Sequence, residues 1–378
     1  MVKVSVIIPV FNEEKYIGIC LDSVINQTLT DIEIICVNDG SDDNSLSILY
    51  DYQKKDNRIK VISQENRGLS TSRNVALKQV TGDYVAFVDA DDYLNPTTLD
   101  ELYKVSVIYD VDFTISKLLN FDNKTGNIKT TPYYEMEYLK RLVSTRIFNF
   151  EDVKDKIFEM CVTAPGKLFK KEFIMQFKFE DGLLFEDNLF FIKCMLSADR
   201  VYFYDSYVYN RRLHDSSITS SYFSKFHDVL IIYDKIEQEL KKFGVYDELK
   251  VQMFNRKCRN TFMRFTQVED KDDFFRAIKS DFISKRDTSI LEKCSQRSRC
   301  IYESALDSDT PDEFELKVKL YDMNIRNGKL DLKNNRLEIE NQRLKIENEN
   351  LLKNQKELLD SNSWKITEPL RNFKKFLK

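Results

Sequence analysis

The sequence predicts an α/β fold in which a sheet is flanked by helices on both faces. Short apolar runs alternate with amphipathic stretches from the N-terminus onward, and strands that alternate with helices usually pair in parallel with both sheet faces covered. Polar and acidic residues follow the apolar runs directly, as expected where ligands bind at the carboxyl ends of parallel strands. With 378 residues, 42% of them hydrophobic, the chain is large enough to bury a full core.

Four strands and three helices are predicted in order along the first hundred residues. The strands span residues 3–10, 32–37, 60–62 and 84–88, and the intervening helices span about 13–26, 45–54 and 70–80. Beyond residue 101 the pattern is mixed, with strands predicted at 112–115 and 201–209 and a helix at 186–196. We therefore expect one domain over residues 1–220, made of a first half (1–100) and a second half (101–220).

Three polar clusters stand at the ends of predicted strands and should meet at one edge of the sheet. They are Pro9-Val10-Phe11-Asn12-Glu13, Asn38-Asp39-Gly40-Ser41 and Asp89-Ala90-Asp91-Asp92. Asp89 and Asp91 flank one small residue, so both carboxylates can face a single cation. Mg²⁺ or Mn²⁺ prefers a few carboxylates together with phosphate oxygens. An Asp-x-Asp pattern is common in surface loops, so its interpretation as a metal site depends on the other motifs nearby in the sequence.

These motifs resemble those of family 2 glycosyltransferases, which have the GT-A fold. Four ordered motifs carry the resemblance: Val6-Ile7-Ile8-Pro9-Val10-Phe11-Asn12-Glu13, Val37-Asn38-Asp39-Gly40-Ser41-Asp42-Asp43, Asn66-Arg67-Gly68 with Ser72-Arg73-Asn74, and Gly82-Asp83-Tyr84 leading to Asp89-Ala90-Asp91-Asp92. The resemblance is close over the first 100 residues and looser to about residue 219. It implies a Rossmann-like mixed sheet and the transfer of a sugar from a nucleoside diphosphate, usually UDP.

The resemblance also implies a role for each motif. Asp39 would contact the nucleotide base with Arg73 nearby, Asp89 would bind the ribose, and Asp91 would bind the metal. The expected donor-binding set is Pro9, Val10, Phe11, Asn12, Glu13, Asp39, Arg73, Asp89 and Ala90. The chemistry agrees, because a leaving diphosphate gains about two negative charges that a Lewis-acid metal stabilises. The family often has Asp where Asn38 stands and Ala where Ser72 stands, differences that bear on base selectivity.

A pair of acidic residues in the second half resembles the Glu-Asp motif that carries the catalytic base of inverting members. The pair is Glu186-Asp187, within Gly182-Leu183-Leu184-Phe185-Glu186-Asp187. One-step displacement at the anomeric carbon requires a carboxylate to take the proton of the attacking hydroxyl. We expect Asp187 to be that base and Glu186 to support it. The alternative is that both acids only favour a helix N-terminus.

Residues 209–219 are similar to the family segment that closes over the diphosphate. Arg211 or Arg212, together with Ser217, would bind phosphate oxygens, and His214 would complete the metal shell. The choice between the two arginines stays open, and so does the alternative that His214 is structural.

A helical extension is expected over residues 221–312, which contain a single glycine, Gly244. A coiled coil is expected over residues 313–360, because an apolar residue recurs every seven positions. These d positions are Leu316, Met323, Leu330, Leu337, Leu344, Leu351 and Leu358, and the matching a positions include Asn327, Asn334, Asn341 and Asn348. Buried Asn at a favours a parallel dimer at a cost in stability. A second apolar stripe, formed by Leu332, Ile339 and Ile346, lies on the far face of the same helix. The alternative that this helix packs against a different helix therefore stays open.

The last segment, residues 361–378, is an amphipathic basic tail that resembles the tails of other surface-polysaccharide enzymes. Its apolar residues can share one helical face beside several lysines, which suits the surface of an anionic membrane. The alternative is that the tail packs on its own coiled coil. No run approaches the roughly 20 apolar residues of a spanning helix, so we expect a cytoplasmic protein with at most peripheral membrane contact.

Charge and cysteine content exclude some classes of function. A net charge of -4 over this length is not that of a protein that tracks nucleic acid, which needs a concentrated basic surface. Seven cysteines without C-x-x-C spacing fit free thiols in a reducing compartment. Neither a nucleic-acid partner nor a disulfide scaffold is therefore expected.

Taken together, these features predict an inverting, metal-dependent hexosyltransferase. It would move a sugar from a UDP-sugar to a hydroxyl of a glycan or lipid-linked glycan during surface polysaccharide synthesis. One alternative is an inactive GT-A scaffold that acts through its coiled coil, although such a protein needs none of the acidic motifs. A nucleotidyltransferase is a further alternative, but it usually has a Gly-rich phosphate loop that residues 9–13 lack.

Overall fold

The computed structural model describes residues 1–144, 146–214, 226–268, 270–360 and Lys365. Residues 1–311 form one compact unit, and a second unit begins at Asp312. The strands of the described chain are β1 (Val4–Val10), β2 (Ile32–Asp39), β3 (Ile59–Gln64), β4 (Tyr84–Phe87), β5 (Tyr93–Leu94), β6 (Phe113–Asp122), β7 (Ile128–Lys129), β8 (Lys167–Lys170) and β9 (Val201–Leu213).

The helices range from single turns to one helix of 50 residues. They are α1 (Ile17–Ile25), α2 (Ser45–Lys55), α3 (Leu69–Leu77), α4 (Thr98–Tyr109), α5 (Pro132–Glu135), α6 (Glu137–Val143), α7 (Phe150–Val153), α8 (Lys171–Ile174), α9 (Glu186–Ser197), α10 (Asp228–Lys242), α11 (Tyr246–Phe265), α12 (Lys271–Ser284), α13 (Thr288–Lys293), α14 (Gln296–Asp307) and α15 (Pro311–Asp360), with a 3-10 helix at Lys154–Glu159.

All nine strands belong to one mixed sheet. The order is β3-β2-β1-β4-β8-β6-β9-β5, with β7 paired to β6. The first four strands are parallel, with Val6 opposite Ile34 on one side and Ala86 on the other, whereas β8 runs antiparallel to both β4 and β6. The predicted mixed sheet flanked by helices is confirmed.

The central strand is apolar along its whole length because both of its faces are covered. Every residue of β1 is buried, as expected for a central parallel strand. The flanking helix α1 buries Ile17, Cys20, Leu21 and Val24, whose spacing of three and four residues forms one apolar stripe. Gly82 lets the entry to β4 lie against β1, because a Cβ there would be 2.7 Å from the Ser5 backbone nitrogen.

The second half contains elements that the sequence pattern does not reveal. β6 extends to Asp122, well beyond the predicted residue 115, and pairs in parallel with β9 through an irregular register near Lys117. The two residues of β5 and the four of β8 are too few to show a period. β8 nevertheless lies inside the sheet between β4 and β6, and β5 pairs with β9 at its edge.

The helical extension and the long helix have the predicted secondary structure. Helices α10 to α14 cover most of residues 228–307, and α10 packs against α9 within the first unit. The helix α15 is continuous and about 75 Å long at 1.5 Å per residue. Its seven predicted d-position side chains are between 46% and 59% exposed. A coiled-coil partner for this helix therefore stays a prediction.

The cysteines are all free thiols, five of them buried. Over the described ranges, no helix is both long and apolar enough to cross a membrane. The predicted basic tail lies outside the described residues except for Lys365.

Candidate active site

The loops after β1 and β2 are joined to each other by hydrogen bonds. Asn12 has a positive φ of 56°, a conformation that Asn tolerates better than most residues. Its side chain accepts a hydrogen bond from the Asp42 backbone N–H at 2.8 Å, and its own N–H donates to the Ser41 hydroxyl at 3.1 Å. The Glu13 N–H donates to the Ser45 hydroxyl at 2.8 Å. The first two predicted clusters therefore meet at one edge of the sheet.

Asp39 shapes the loop that follows β3. Its carboxylate accepts hydrogen bonds from the backbone of Arg67 and Gly68 at 2.9 and 2.7 Å, and from the Gln64 side chain at 2.7 Å. Gly40 follows with a φ of 72°, and a Cβ there would lie 2.7 Å from the Asn66 nitrogen. The motif therefore needs glycine at position 40, and Asp39 holds the walls of the expected base site in place.

Three ligand-bearing side chains converge beside the third cluster. Glu13, Asp91 and His214 each offer one ligand atom, and these atoms lie within 4.8 Å of one another. Asp91 and His214 already approach to 2.9 Å. Two carboxylates and one imidazole are a donor set that suits Mn²⁺ and, through its oxygens, Mg²⁺. Glu13, predicted among the donor-binding residues, therefore lies beside the predicted metal ligands Asp91 and His214.

Arg73 connects the Asp-x-Asp motif with the predicted catalytic base. Its guanidinium lies 3.1 Å from Asp89, 2.9 Å from Glu186 and 2.8 Å from Asp187, and its side chain is only 1% exposed. Arg73, predicted to lie near Asp39 and the nucleotide base, has its guanidinium engaged by three carboxylates inside the protein.

Two carboxyl groups of the candidate site have raised pKa values, because they are buried close to other carboxylates. Burial and the neighbouring charge of Asp187 raise the pKa of Glu186 to about 8, although Arg73 opposes the rise. Partial burial and the charges of Asp91, Asp43 and Asp89 raise the pKa of Glu13 to about 8. Both shifts have the direction expected when desolvation and like charges disfavour the ionised form.

Asp187 is the member of the acidic pair that a substrate can reach. Its side chain is 20% exposed, against 8% for Glu186. Its second carboxylate oxygen accepts a hydrogen bond from the Ala164 N–H at 3.3 Å. Phe185, just before the pair, has a φ of 65°, which is rare for a bulky residue and strains the backbone where α9 begins. Both acids also occupy the first turn of that helix, as the alternative reading expects.

The two candidate arginines differ in their surroundings. Arg212 donates to the Asp91 carbonyl at 2.8 Å and to the Asn123 side chain at 2.7 Å. Arg211 has one long hydrogen bond, 3.5 Å to Asn120, and lies 6.0 Å from the centre of the Tyr134 ring. Arg212 therefore positions the Asp-x-Asp loop, and Arg211 keeps donors available for a ligand. Ser217 lies outside the described residues.

Asp92 and Tyr209 were missed as parts of the site. Asp92 is 3% exposed and accepts hydrogen bonds from the Tyr209 hydroxyl and the Arg212 N–H, both at 2.7 Å. The same Tyr209 oxygen accepts the Asp89 N–H at 3.1 Å. Together they fix the loop that carries Asp89 and Asp91. The second acidic residue in succession at 91–92 was the signal in the sequence.

Residues 5–176 match the family described as Glycosyl transferase family 2. Glycosyltransferase GlyG of Streptococcus pneumoniae serotype 4 is 30% identical over 277 residues, which cover 72% of this chain and 92% of GlyG. The chain belongs to glycosyltransferase family 2. Another relative of this family 2 glycosyltransferase is GlyA of the same organism, 35% identical over 233 residues. That match covers 61% of this chain and 33% of GlyA, so the chain spans a third of that relative.

A third relative has both a curated sequence and solved structures. TarS of Staphylococcus aureus, a poly(ribitol-phosphate) beta-N-acetylglucosaminyltransferase, is 27% identical over 350 residues, covering 87% of this chain and 58% of TarS. The crystal structure of TarS 1–349 in complex with UDP-GlcNAc superposes with a TM-score of 0.66 at 23% identity. The superposition covers 85% of this chain and 92% of that one. The family 2 glycosyltransferase described here therefore has the GT-A fold, and it is an enzyme of the glycosyltransferase class.

Proposed function

We propose that this glycosyltransferase is an inverting, metal-dependent enzyme that moves a sugar from a UDP-sugar to a hydroxyl of a surface glycan. The observation that carries the proposal is the direct connection between the Asp-x-Asp motif and Asp187. Arg73 bridges Asp89 and Asp187, while Asp91 lies with Glu13 and His214 in a candidate metal site. The residues proposed to bind the donor and to accept the proton would therefore be linked through Arg73.

The donor side of the reaction is assigned to the residues at the ends of β1, β2 and β4. Glu13, Asp91 and His214 would hold Mn²⁺ or Mg²⁺, which neutralises charge on the leaving diphosphate when bound. Arg211 would add charge-assisted hydrogen bonds to phosphate oxygens. Asp89 would bind the ribose, and Asp39 with the backbone of residues 9–11 would hold the nucleoside. That TarS was solved with UDP-GlcNAc supports UDP as the nucleotide.

On the acceptor side, Asp187 would take the proton of the attacking hydroxyl onto a carboxylate oxygen. The Arg73 guanidinium and the Ala164 N–H fix the orientation of this carboxylate. Positioned carboxylate bases of this kind contribute about 10²- to 10⁴-fold to the rate. The hydroxyl oxygen would attack the anomeric carbon as the bond to the diphosphate breaks, which inverts the configuration.

Surface polysaccharide synthesis is the setting that the relatives support. TarS and the poly(ribitol-phosphate) beta-glucosyltransferase of Bacillus spizizenii, 34% identical over 208 residues, are named for glycosyl transfer to poly(ribitol-phosphate). We extend this setting to the present chain, with a glycan or lipid-linked glycan acceptor reached from the cytoplasmic side of the membrane. Contact of the basic tail with that membrane is part of the proposal.

The helix α15 would join two copies of the chain in a parallel coiled coil. The exposed seven-residue repeat of leucines supports this part of the proposal, because such side chains are stabilised when they are buried against a second helix. The four Asn at a positions would set the register and weaken the dimer.

Thermal unfolding with a panel of nucleoside diphosphates, with and without Mn²⁺, tests the proposed donor and metal. A ligand that binds only the folded state adds about 2.7 kcal/mol at a hundredfold excess over its Kd. We expect UDP with Mn²⁺ to raise the midpoint and Asp91→Ala to abolish the rise. If no nucleotide changes the midpoint of the wild-type protein, the proposal is wrong and the inactive-scaffold alternative gains support.

A further inference from the structure

Three arginines of α11 have no carboxylate partner within salt-bridge distance in the described part of the chain. We refer to Arg256, Arg259 and Arg264 as the arginine row. The last two donate hydrogen bonds to neutral groups, Arg259 to the Asn255 carbonyl at 3.3 Å and Arg264 to the Gln267 side chain at 3.0 Å. Other cations of the same helix are paired, Lys250 with Asp247 and Lys257 with Asp281. The unpaired charge is therefore a property of this row.

One end of the arginine row contacts the residue that precedes the acidic pair Glu186-Asp187. The Arg264 guanidinium stacks 4.5 Å from the centre of the Phe185 ring, and Phe185 directly precedes Glu186 and Asp187 in the chain. The same guanidinium lies 5.4 Å from the Phe226 ring. A cation held on these rings is oriented without being neutralised.

The other end of the row, Arg256, is connected to the site through two tyrosines. Arg256 lies 5.6 Å from the centre of the Tyr133 ring, and Tyr133 accepts the Val162 N–H at 3.0 Å. Val162 is two residues from Ala164, which donates to Asp187. Tyr133 packs edge-on against Tyr134 at 5.0 Å, and Arg211 lies over Tyr134. Arg211 and Arg256 therefore place positive charge on both sides of the Tyr133–Tyr134 pair.

The surroundings of Arg259 and Arg264 disfavour the charged form of each guanidinium. Partial burial lowers the pKa of Arg264. Partial burial and the neighbouring Arg256 lower the pKa of Arg259, although Glu159 at longer range opposes this. Glu159 itself pairs with Lys156 at 3.1 Å. Crowded and partly desolvated cations are stabilised when an anion binds among them.

We infer that the arginine row binds an anionic acceptor chain, whose phosphodiester or carboxylate groups flank the hydroxyl presented to Asp187. The inference rests on the proposed function, because it assigns the row to the acceptor of the same reaction. Guanidinium groups suit this ligand, since their planar fork matches the oxygens of both phosphate and carboxylate. A row of such groups on one helix also suits a polymer, which repeats its charge along its length.

A purely structural role makes a different prediction. If the arginines only cover the aromatic rings, replacing them by glutamine would lower stability and leave acceptor binding unchanged. If they bind the acceptor, the same substitution would weaken anion binding while the fold and the donor site persist. Replacement by lysine keeps the charge but loses the planar fork and the stacking.

Acceptor binding to the full chain, saturated with UDP and Mn²⁺, tests the inference by fluorescence anisotropy. The labelled probes are a ribitol-phosphate oligomer, an oligogalacturonate and a neutral malto-oligosaccharide of equal length. We expect the wild-type protein to bind one or both anions at least about tenfold more tightly than the neutral probe, and added salt to reduce the difference. The double variant Arg256→Gln/Arg264→Gln should weaken anion binding by about tenfold, or about 1.4 kcal/mol.

Arg276→Gln is the matched control, because it removes an equal charge from an exposed pair with Asp273 on α12. Its anion binding should equal that of the wild type. If the double variant does not fold, the single variants and Arg256→Lys/Arg264→Lys replace it, with an expected loss of about threefold for each. Weakened binding of the phosphate probe alone supports a phosphodiester acceptor, and weakened binding of the uronate probe alone supports a carboxylate acceptor.

The inference is wrong if neither anion binds more tightly than the neutral probe, or if the folded variants bind both anions as tightly as the wild type. Its failure is separable from failure of the proposed function. The midpoint shift caused by UDP with Mn²⁺ is measured on the same proteins, and it reports on the donor site alone.

Discussion

Replacing Arg73 by methionine should destabilise the protein in a way that depends on pH. Methionine has a similar length but no charge, so Asp89, Glu186 and Asp187 would lose the cation that they share. Removing one partner of a buried ion pair costs about 3–5 kcal/mol. Since Arg73 is 1% exposed, solvent screening reduces this cost little. We expect a loss of about this size in the free energy of unfolding at pH 8.5.

The loss should shrink as the pH falls. The pKa of Glu186 is already raised to about 8 in the wild type, and removing Arg73 would raise it further. A carboxyl group with a raised pKa in the folded state binds more protons folded than unfolded, so its contribution to stability is present at low pH and is lost as the pH rises through the folded pKa. The difference between variant and wild type should therefore narrow between pH 8.5 and pH 5.5.

Urea denaturation of both proteins at these two pH values measures the effect. Arg146→Met is the matched control, because it breaks a more exposed pair with Asp152 and should cost no more than about 1 kcal/mol at either pH. Arg73→Lys should lie between wild type and Arg73→Met, since one ammonium cannot reproduce the forked contacts. An Arg73→Met protein as stable as the wild type at pH 8.5 would refute the view that Arg73 holds these carboxylates together.

Three further predictions concern the base, the metal and the long helix. Asp187→Asn should lower kcat by at least about a hundredfold. The kcat of Glu186→Gln should stay within about threefold of the wild-type value at pH 7, because burial keeps the Glu186 carboxyl largely protonated. Equal losses of kcat in the two variants would contradict the assignment of Asp187 as the base. Glu13→Gln should raise the Mn²⁺ concentration needed for the UDP-induced midpoint shift by about tenfold, and an unchanged requirement would remove Glu13 from the metal site. Deleting the residues after Pro311 should give a monomer by light scattering while the UDP shift persists, and an unchanged oligomer would remove α15 as the dimer contact.

Local patterns in the sequence were sufficient for the first half of the sheet. The predicted strands at 3–10, 32–37, 60–62 and 84–88 overlap β1 to β4 and differ from them by a few residues at their ends. Each is an apolar run bounded by polar residues, and burial on both faces makes such runs continuous. Since parallel strands carry their carboxyl ends to the same edge, the sequence also determined that the three polar clusters would meet.

The other half of the sheet depends on strand pairing that cannot be predicted from a local sequence period. β5 and β8 are too short to show alternation, and they are strands because β9, β4 and β6 pair with them. The different surroundings of Arg211 and Arg212 likewise depend on tertiary packing. Successive residues of a strand point to opposite faces, but only the packing of β9 decided which face holds the Asp-x-Asp loop.

The sequence by itself determined the fold class, the family and the candidate acidic residues, because periodicity and short motifs are local properties of the chain. The tertiary structure alone decided how those residues are combined. Arg73 and Glu186 are 113 positions apart and meet at 2.9 Å, while Glu13 joins Asp91 and His214 from the other end of the domain. Contacts over such separations form when distant elements pack together, and the spacing of residues along the chain does not predict them. The arginine row is of the same kind, since Arg264 meets the Phe185 ring only through the packing of elements that are far apart in the chain.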